Sequence, residues 1–258
     1  MKKWVFNIVI IICILIFLGS GLYLLRYFLS ARQTENELDE LIRLKTESLE
    51  QEDDGDEIRT PEGKKILKKY KKLYKKNSDL VGWITVKGTP IDYPVMQTKE
   101  NPEYYLHCNY RKEYDVNGLP FLDALCEIED RESNLMIYGH HMKSGLMFAH
   151  LVDYESEEFY DKHPVIQFDT LYEECEYEVI AAFYSQVYKK DEDVFKYYNW
   201  PGHLTEKQYM QYVKNVKKLS LYDTGLTPEY GNQLITLVTC AYQTEDGRFV
   251  VVAKRKDS

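Results

Sequence analysis

Near its C-terminus the chain reads Leu234-Ile-Thr-Leu-Val-Thr-Cys240, then Ala241-Tyr-Gln-Thr-Glu-Asp-Gly247, then Arg248-Phe-Val-Val-Val-Ala-Lys254. The flanks are rich in β-branched and apolar residues and the seven residues between them are polar, the pattern of two buried strands joined by a longer hairpin loop. Antiparallel pairing would set Cys240, the last residue of the first strand, against Arg248, the first of the second. A thiol beside a permanent cation is a reactive arrangement, because the cation favours a thiolate or a developing oxyanion. Taken alone, a strand-end cysteine is more often a small buried hydrophobe. The rest of the chain has to decide between the two.

Working back from this hairpin, further strand-like runs recur at short intervals. Val81-Gly-Trp-Ile-Thr-Val86 and Ile91-Asp-Tyr-Pro-Val-Met96 flank a Lys-Gly-Thr-Pro turn, and Gly118-Leu-Pro-Phe-Leu122 follows. Asn134-Leu-Met-Ile-Tyr138 runs into Gly139-His140-His141. Val165–Phe168 and Glu176–Phe183 complete the set. Helical signals are fewer: a turn over Asn101–Leu106, a short helix over Ser144–Val152, and a longer one opened by the capping-box pattern Thr205-Glu-Lys-Gln208. Eight closely spaced strands with a few helices predict a mostly β fold, an antiparallel or mixed β-barrel rather than a βαβ fold.

The N-terminus is of another kind. Trp4 to Leu25 is an uncharged run of 22 residues, about 33 Å as a helix and enough to cross a bilayer core. That exceeds the apolar length of most cleavable signal peptides, so residues 1–30 are expected to be a signal anchor, with cleavage near Ser30-Ala31 as the alternative. Lys2 and Lys3 precede the run, and Arg26 and Arg32 follow it. The expected topology has the N-terminus inside the cell and the domain outside. Residues 31–60 form an acidic linker, partly helical over Thr34–Glu57 where Leu38, Leu41, Ile42 and Leu49 give an irregular apolar pattern, with Gln51-Glu-Asp-Asp-Gly-Asp-Glu57 reading as mobile. Residues 61–258 are the expected catalytic domain. It opens on a helix predicted from Thr60 (N-cap) and Pro61 (N1). Eight lysines between Lys64 and Lys76 line one face of that helix, either a solvated face or a contact for anionic lipid or wall polymer.

Net charge of −9 over 258 residues, with no basic stripe, argues against nucleic acid as a partner. The five cysteines, Cys13, Cys108, Cys126, Cys175 and Cys240, contain no CxxC pair, and nothing in their spacing supports a disulfide framework. Of the six histidines only His140 and His141 sit at the end of a predicted buried strand, where a rigid scaffold presents a site. A metal set of His140, His141 and His150 lacks a familiar ligand spacing, so no metal is expected. The order and spacing test other cysteine chemistries. Cys240 and Arg248 are separated by seven residues, not the five of a tyrosine-phosphatase phosphate cradle, and the histidine precedes the cysteine, opposite to papain-like peptidases.

From about residue 62 onward the chain resembles the sortases, specifically class B. The resemblance rests on Thr236-Leu-Val-Thr-Cys240, which matches the family's TLxTC signature, on Arg248-Phe-Val-Val-Val-Ala-Lys254 after it, and on Asn134-Leu-Met-Ile-Tyr-Gly-His-His-Met142, which looks like the histidine-bearing segment. Val81-Gly-Trp-Ile84 and Ile91-Asp-Tyr-Pro-Val95 are similar to the class B N-terminal strands. The resemblance implies a closed eight-stranded β-barrel with an N-terminal helix and a helix in the long connection before the cysteine strand. It also implies a cofactor-free transpeptidase on the outer face of a Gram-positive cell membrane. Cys240 is then the nucleophile, His140 the proton-transfer residue, and Arg248 a donor to substrate backbone or oxyanion, with Val238, Thr239 and Tyr242 expected to touch substrate.

The implied partners are surface proteins bearing a C-terminal sorting motif, a peptidoglycan-precursor amine, and membrane lipid through the N-terminal helix. Val238 departs from the serine that class B members often carry at that position, which bears on motif preference rather than on the chemistry. Two alternatives stay open on the residues alone: a membrane-tethered module that binds peptide or wall polymer without turnover, and a cysteine peptidase that only hydrolyses.

Overall fold

A computed structural model of the chain describes residues 3–50, 58–61, 63–128 and 133–256. Eight strands close a barrel: β1 (Leu80–Thr85), β2 (Asp92–Met96), β3 (Phe121–Leu122), β4 (Asn134–Tyr138), β5 (Val165–Thr170), β6 (Glu176–Gln186), β7 (Leu234–Cys240) and β8 (Gly247–Arg255). Their order around the barrel is β1-β2-β3-β4-β7-β8-β6-β5, with β5 returning to β1. Full closure leaves no strand edge unpaired. β4 and β7 pair in parallel, Asn134 opposite Leu234 through Tyr138 opposite Val238, and β7 and β8 pair antiparallel from Leu234–Lys254 to Cys240–Arg248. The core holds Trp83, Phe168, Tyr177, Phe183, Phe249 and a run of Val, Ile and Leu from every long strand. The expected strands all form, and the hairpin loop is one residue shorter than expected because Gly247 already belongs to β8.

Helices cover the barrel unevenly. Helix α1 (Lys3–Glu50) is followed by α2 (Lys68–Lys76), α3 (Glu157–Lys162) and α4 (Glu206–Leu219). The capping box predicted at Thr205 is present, its side chain accepting from the Gln208 amide and Gln208 accepting in return from the Thr205 amide. The predicted turn and short helix appear as 3-10 helices over Tyr104–Leu106 and Phe148–Glu155. The helix expected from Thr60 starts later. Arg59 and Lys65 form an antiparallel bridge around a turn in which Gly63 takes φ +87°, and Leu67, with ψ 138°, is still extended at the N-cap.

The acidic segment departs most from expectation. Residues 31–50, expected within a linker, continue α1 without a break, and Ala31, Thr34, Leu38, Leu41 and Ser48 are buried against the domain. The charge pattern explains why they dock. Glu37 and Glu40 of α1 pair with Arg111, Glu40 also takes Lys76, and Lys45 reaches Asp92 at 3.0 Å and stacks over Trp83. The lysine-rich α2 is correspondingly not a bare cationic face. Lys69 is buried against Asp169 at 2.7 Å, whose carboxylate also accepts from Tyr70, and Lys68 donates to the Leu49 carbonyl. The acidic and basic stretches are two sides of one packed helix pair. The mobile-linker stretch 51–57 lies outside the described residues.

If residues 31–50 fold with the barrel, Leu41→Ala in the detergent-solubilised full chain should cost about 2–5 kcal/mol, the usual range for a buried leucine truncation. Urea unfolding measures this. A change within about 0.5 kcal/mol, as at surface sites, would show that this half of α1 does not belong to the folding unit.

Candidate active site

Three elements build the site. The parallel β4–β7 register runs at a constant offset, so two residues beyond the Tyr138–Val238 pair His140 and Cys240 come side by side, Cys240 still in β7. The pair is fastened at its end: the Gly139 amide donates to the Val238 carbonyl at 3.0 Å, and the Thr239 hydroxyl donates to the Gly139 carbonyl at 2.9 Å. Gly139 is required there, because a Cβ would sit 2.6 Å from the Phe148 ring. From the other side β8 sets Arg248 directly opposite Cys240, and directly paired side chains share a face. The hairpin loop closes through Ala241 N–H to the Gly247 carbonyl at 2.9 Å.

His140, Cys240 and Arg248 line one cavity of about 590 Å³, together with Tyr138, Leu125, Val187, Tyr197, Tyr198 and Val238. The walls are mainly apolar and the three chemically active groups are half-buried, the usual character of a small-ligand or peptide cleft. The imidazole of His140 is oriented by the Leu106 carbonyl, 2.8 Å from Nε2. A carbonyl only accepts, so Nε2 carries the proton and Nδ1 keeps its lone pair. Burial depresses the His140 pKa below its ordinary 6.5, with the Leu106 carbonyl opposing and nearby His107 adding to the depression. Arg248 donates one hydrogen bond to its neighbour's carbonyl, Gly247, at 2.9 Å. The remaining N–H groups of its fork make no hydrogen bond among the described residues. A neutral imidazole, a thiol and a free guanidinium edge on one cavity can form a thioester and stabilise the oxyanion on the way.

The other expected site residues divide. Val238 and Thr239 line the cavity, but the Thr239 side chain is buried and its proton is committed to Gly139. Tyr242 is not among the lining residues. It stands on the exposed hairpin loop, its hydroxyl donating to the His141 carbonyl at 2.7 Å. His141 is structural. Its Nδ1 donates to the Cys240 carbonyl at 3.0 Å, which ties the loop after β4 to the end of β7. His150 pairs instead with Asp153, so the three histidines considered as a metal set serve different partners.

His107 was not foreseen. Its ring lies 5.7 Å from that of His140 and 6.3 Å from Tyr114. It belongs to an irregular loop with no periodicity to flag it; the only available signal was its place after the Tyr104-Tyr-Leu106 turn.

A sortase-domain family model matches residues 84–256. The chain belongs to the sortase family. It is 36% identical over 184 residues to sortase B of Listeria monocytogenes, covering 70% of this chain and 72% of the relative. Among solved structures it is similar to a Staphylococcus aureus sortase B–substrate complex, with 26% identity, a TM-score of 0.73, and coverage of 89% of this chain and 99% of the other. A sortase B complexed with triglycine matches at 28% identity and a TM-score of 0.73, covering 88% and 98%. These relatives place the chain in the class B branch, a sortase-type cysteine transpeptidase with the eight-stranded barrel of that class.

The depressed pKa of His140 has a consequence for stability. The unfolded chain binds this proton more readily than the folded one, so the contribution of neutral His140 is complete above pH 6.5 and is lost as pH falls from there through the folded pKa. Urea unfolding of the full chain at about pH 7.5 and about pH 5 should therefore show a smaller acid loss for His140→Gln than for the wild type. Equal losses would mean that His140 is not desolvated.

Proposed function

We propose that this sortase cleaves a C-terminal sorting motif of secreted proteins and joins the new carboxyl end to a cell-wall amine through a thioacyl-enzyme. Cys240 attacks the backbone carbonyl of the motif's threonine. His140, neutral at rest, takes the thiol proton at Nδ1 as the carbon–sulfur bond forms. Arg248 donates to the oxyanion or to the substrate backbone beside it. The tetrahedral intermediate collapses by breaking the peptide bond, and the departing amine receives the proton from His140. In the second half the acceptor amine attacks the thioester and gives its proton to His140, which returns it to the leaving thiolate. The new product is an amide and the enzyme is restored without any outside reagent.

The observation that carries this reading is that a thiol, a histidine with a free ring nitrogen and an arginine share one cavity on a class B sortase chain. The complexes of related sortase B proteins with a substrate and with triglycine support a peptide donor and an amine acceptor. The exposed apolar half of α1 supports a single-pass membrane anchor, and in the proposed topology the N-terminus is cytoplasmic and the barrel outside.

A fluorogenic sorting-motif peptide tests the roles. Cys240→Ala should abolish cleavage, and His140→Ala and Arg248→Ala should each lower kcat/KM by about 100-fold or more. Full activity of the Cys240→Ala protein would remove the nucleophile from the mechanism. Adding an amine acceptor should divert product from hydrolysis to the amide. An unchanged product ratio would favour a purely hydrolytic peptidase.

A further inference from the structure

The cavity extends well beyond the three reacting groups. Val238 and Tyr138 line it two residues behind Cys240 and His140, on the same face of their strands, and Asp123, Ala124 and Leu125 line it beyond them. The order follows from the sheet. β3 runs antiparallel to β4, pairing Phe121 with Tyr138, and leaves it at Asp123, whose amide donates to the Met136 carbonyl at 2.8 Å. Met136 lies four residues behind His140, about 13 Å at the rise of a strand. An extended peptide joined to Cys240 and running down the cavity covers that distance in about four residues.

The far end carries a bare leucine. Leu125 is 73% exposed. A single exposed leucine is ordinary on a protein surface. This one lines the Cys240 cavity and sits on a turn fixed from several sides. The Gln97 side-chain amide donates to the Asp123 and Cys126 carbonyls, both at 2.8 Å. The Leu125 amide donates to one carboxylate oxygen of Asp123 at 2.9 Å, and the Tyr138 hydroxyl to the other at 3.1 Å. Both oxygens of Asp123 are therefore engaged from within the protein, and Glu127 pairs with Lys99. Glu103, also on the cavity wall, is exposed to water. The turn presents an aliphatic side chain at a place set before any ligand arrives, so packing against it costs little ordering.

Which half of the donor lies there follows from the chemistry. Once the peptide bond is broken only the acyl half remains on Cys240, and it has to be held in place until the amine attacks. The mainly apolar cavity is continuous with the thiol and can hold it. We infer that Leu125 is a specificity residue, packing on an apolar side chain of the donor about four residues before the scissile threonine. The inference rests on the thioacyl-transfer reading of Cys240. Leu125 touches no reacting atom, so its contact is the same in ground state and transition state and is read in KM rather than in kcat.

The test uses the full chain in detergent and the fluorogenic sorting-motif peptide, extended upstream to carry Leu or Ser at the fourth, fifth or sixth residue before the threonine. At one of these positions the wild type should favour Leu over Ser by about tenfold in kcat/KM, mostly through KM, as for a modest apolar contact. Leu125→Ser should bring that ratio to within about twofold while cleaving the Ser peptide as the wild type does, and Leu125→Met should keep most of the preference. The Ser peptide also reports folding, which an exposed position seldom disturbs. A wild-type ratio near one at all three positions, or an unchanged ratio in Leu125→Ser, refutes the role of Leu125 and leaves the transfer reading intact. Equal loss of both peptides in Leu125→Ser would make the residue structural and refutes it too. If the wild type cleaves none of the peptides, the transfer reading fails and the inference falls with it.

Discussion

The parallel pairing of β4 with β7 is the constraint on which the site depends. Neither strand ends on a functional pair by itself; each carries one member past its last ladder bond, and the fixed register brings the two members together. The Thr239–Gly139 and His141–Cys240 hydrogen bonds lock the register where a slip would matter most. A slip of one residue would turn Cys240 to the opposite face of the sheet. Behind the site, Asn134 and Thr236, the latter also bonded to Tyr212 of α4, hold the same two strands at their other end. Asn134 further ties the long connection through Trp200 and Gly202.

Burial then sets the chemistry of what the register brings together. The cavity walls are largely apolar, so the cationic form of His140 is disfavoured and the ring's single proton is fixed on Nε2 by the Leu106 carbonyl. This makes Nδ1 a proton acceptor before any substrate arrives. Arg248 brings a guanidinium to the same cavity and supplies the positive field that the histidine does not. A neutral imidazole just past β4 and a guanidinium on β8 flank the thiol at the end of β7, the strand between them.

Much of this was legible in the residues. The strands announce themselves because short β-branched runs alternate with Gly, Pro and Asn turns, and the order His140, Cys240, Arg248 distinguishes the chain from other cysteine enzymes. The second half of α1 was legible as partly helical but not as docked, for a physical reason. Its buried stripe of Ala31, Thr34, Leu38, Leu41 and Ser48 keeps helical spacing but includes small and hydroxylated residues that an apolar count passes over. Its acidic residues suggest a solvated tether only while their basic partners, Arg111 and Lys76, are treated as distant in sequence. Tyr242, expected to touch substrate, lies outside the cavity wall, its hydroxyl on the His141 carbonyl. His107 reaches the site from a loop whose path only the tertiary structure fixes.

The continuity of α1 has a mechanical side. A helix with no joint between Leu25 and Ala31 behaves as a rod, about 72 Å long over its 48 residues. Its C-terminal half is clamped to the barrel at Thr34, Leu38, Leu41 and Lys45. Any tilt or pull imposed on the apolar half is therefore delivered to the barrel as a rotation, not absorbed in a slack tether. The chain is built as a lever, with its fulcrum at the loop that carries Asp115 and Asn117 and its load at the cavity.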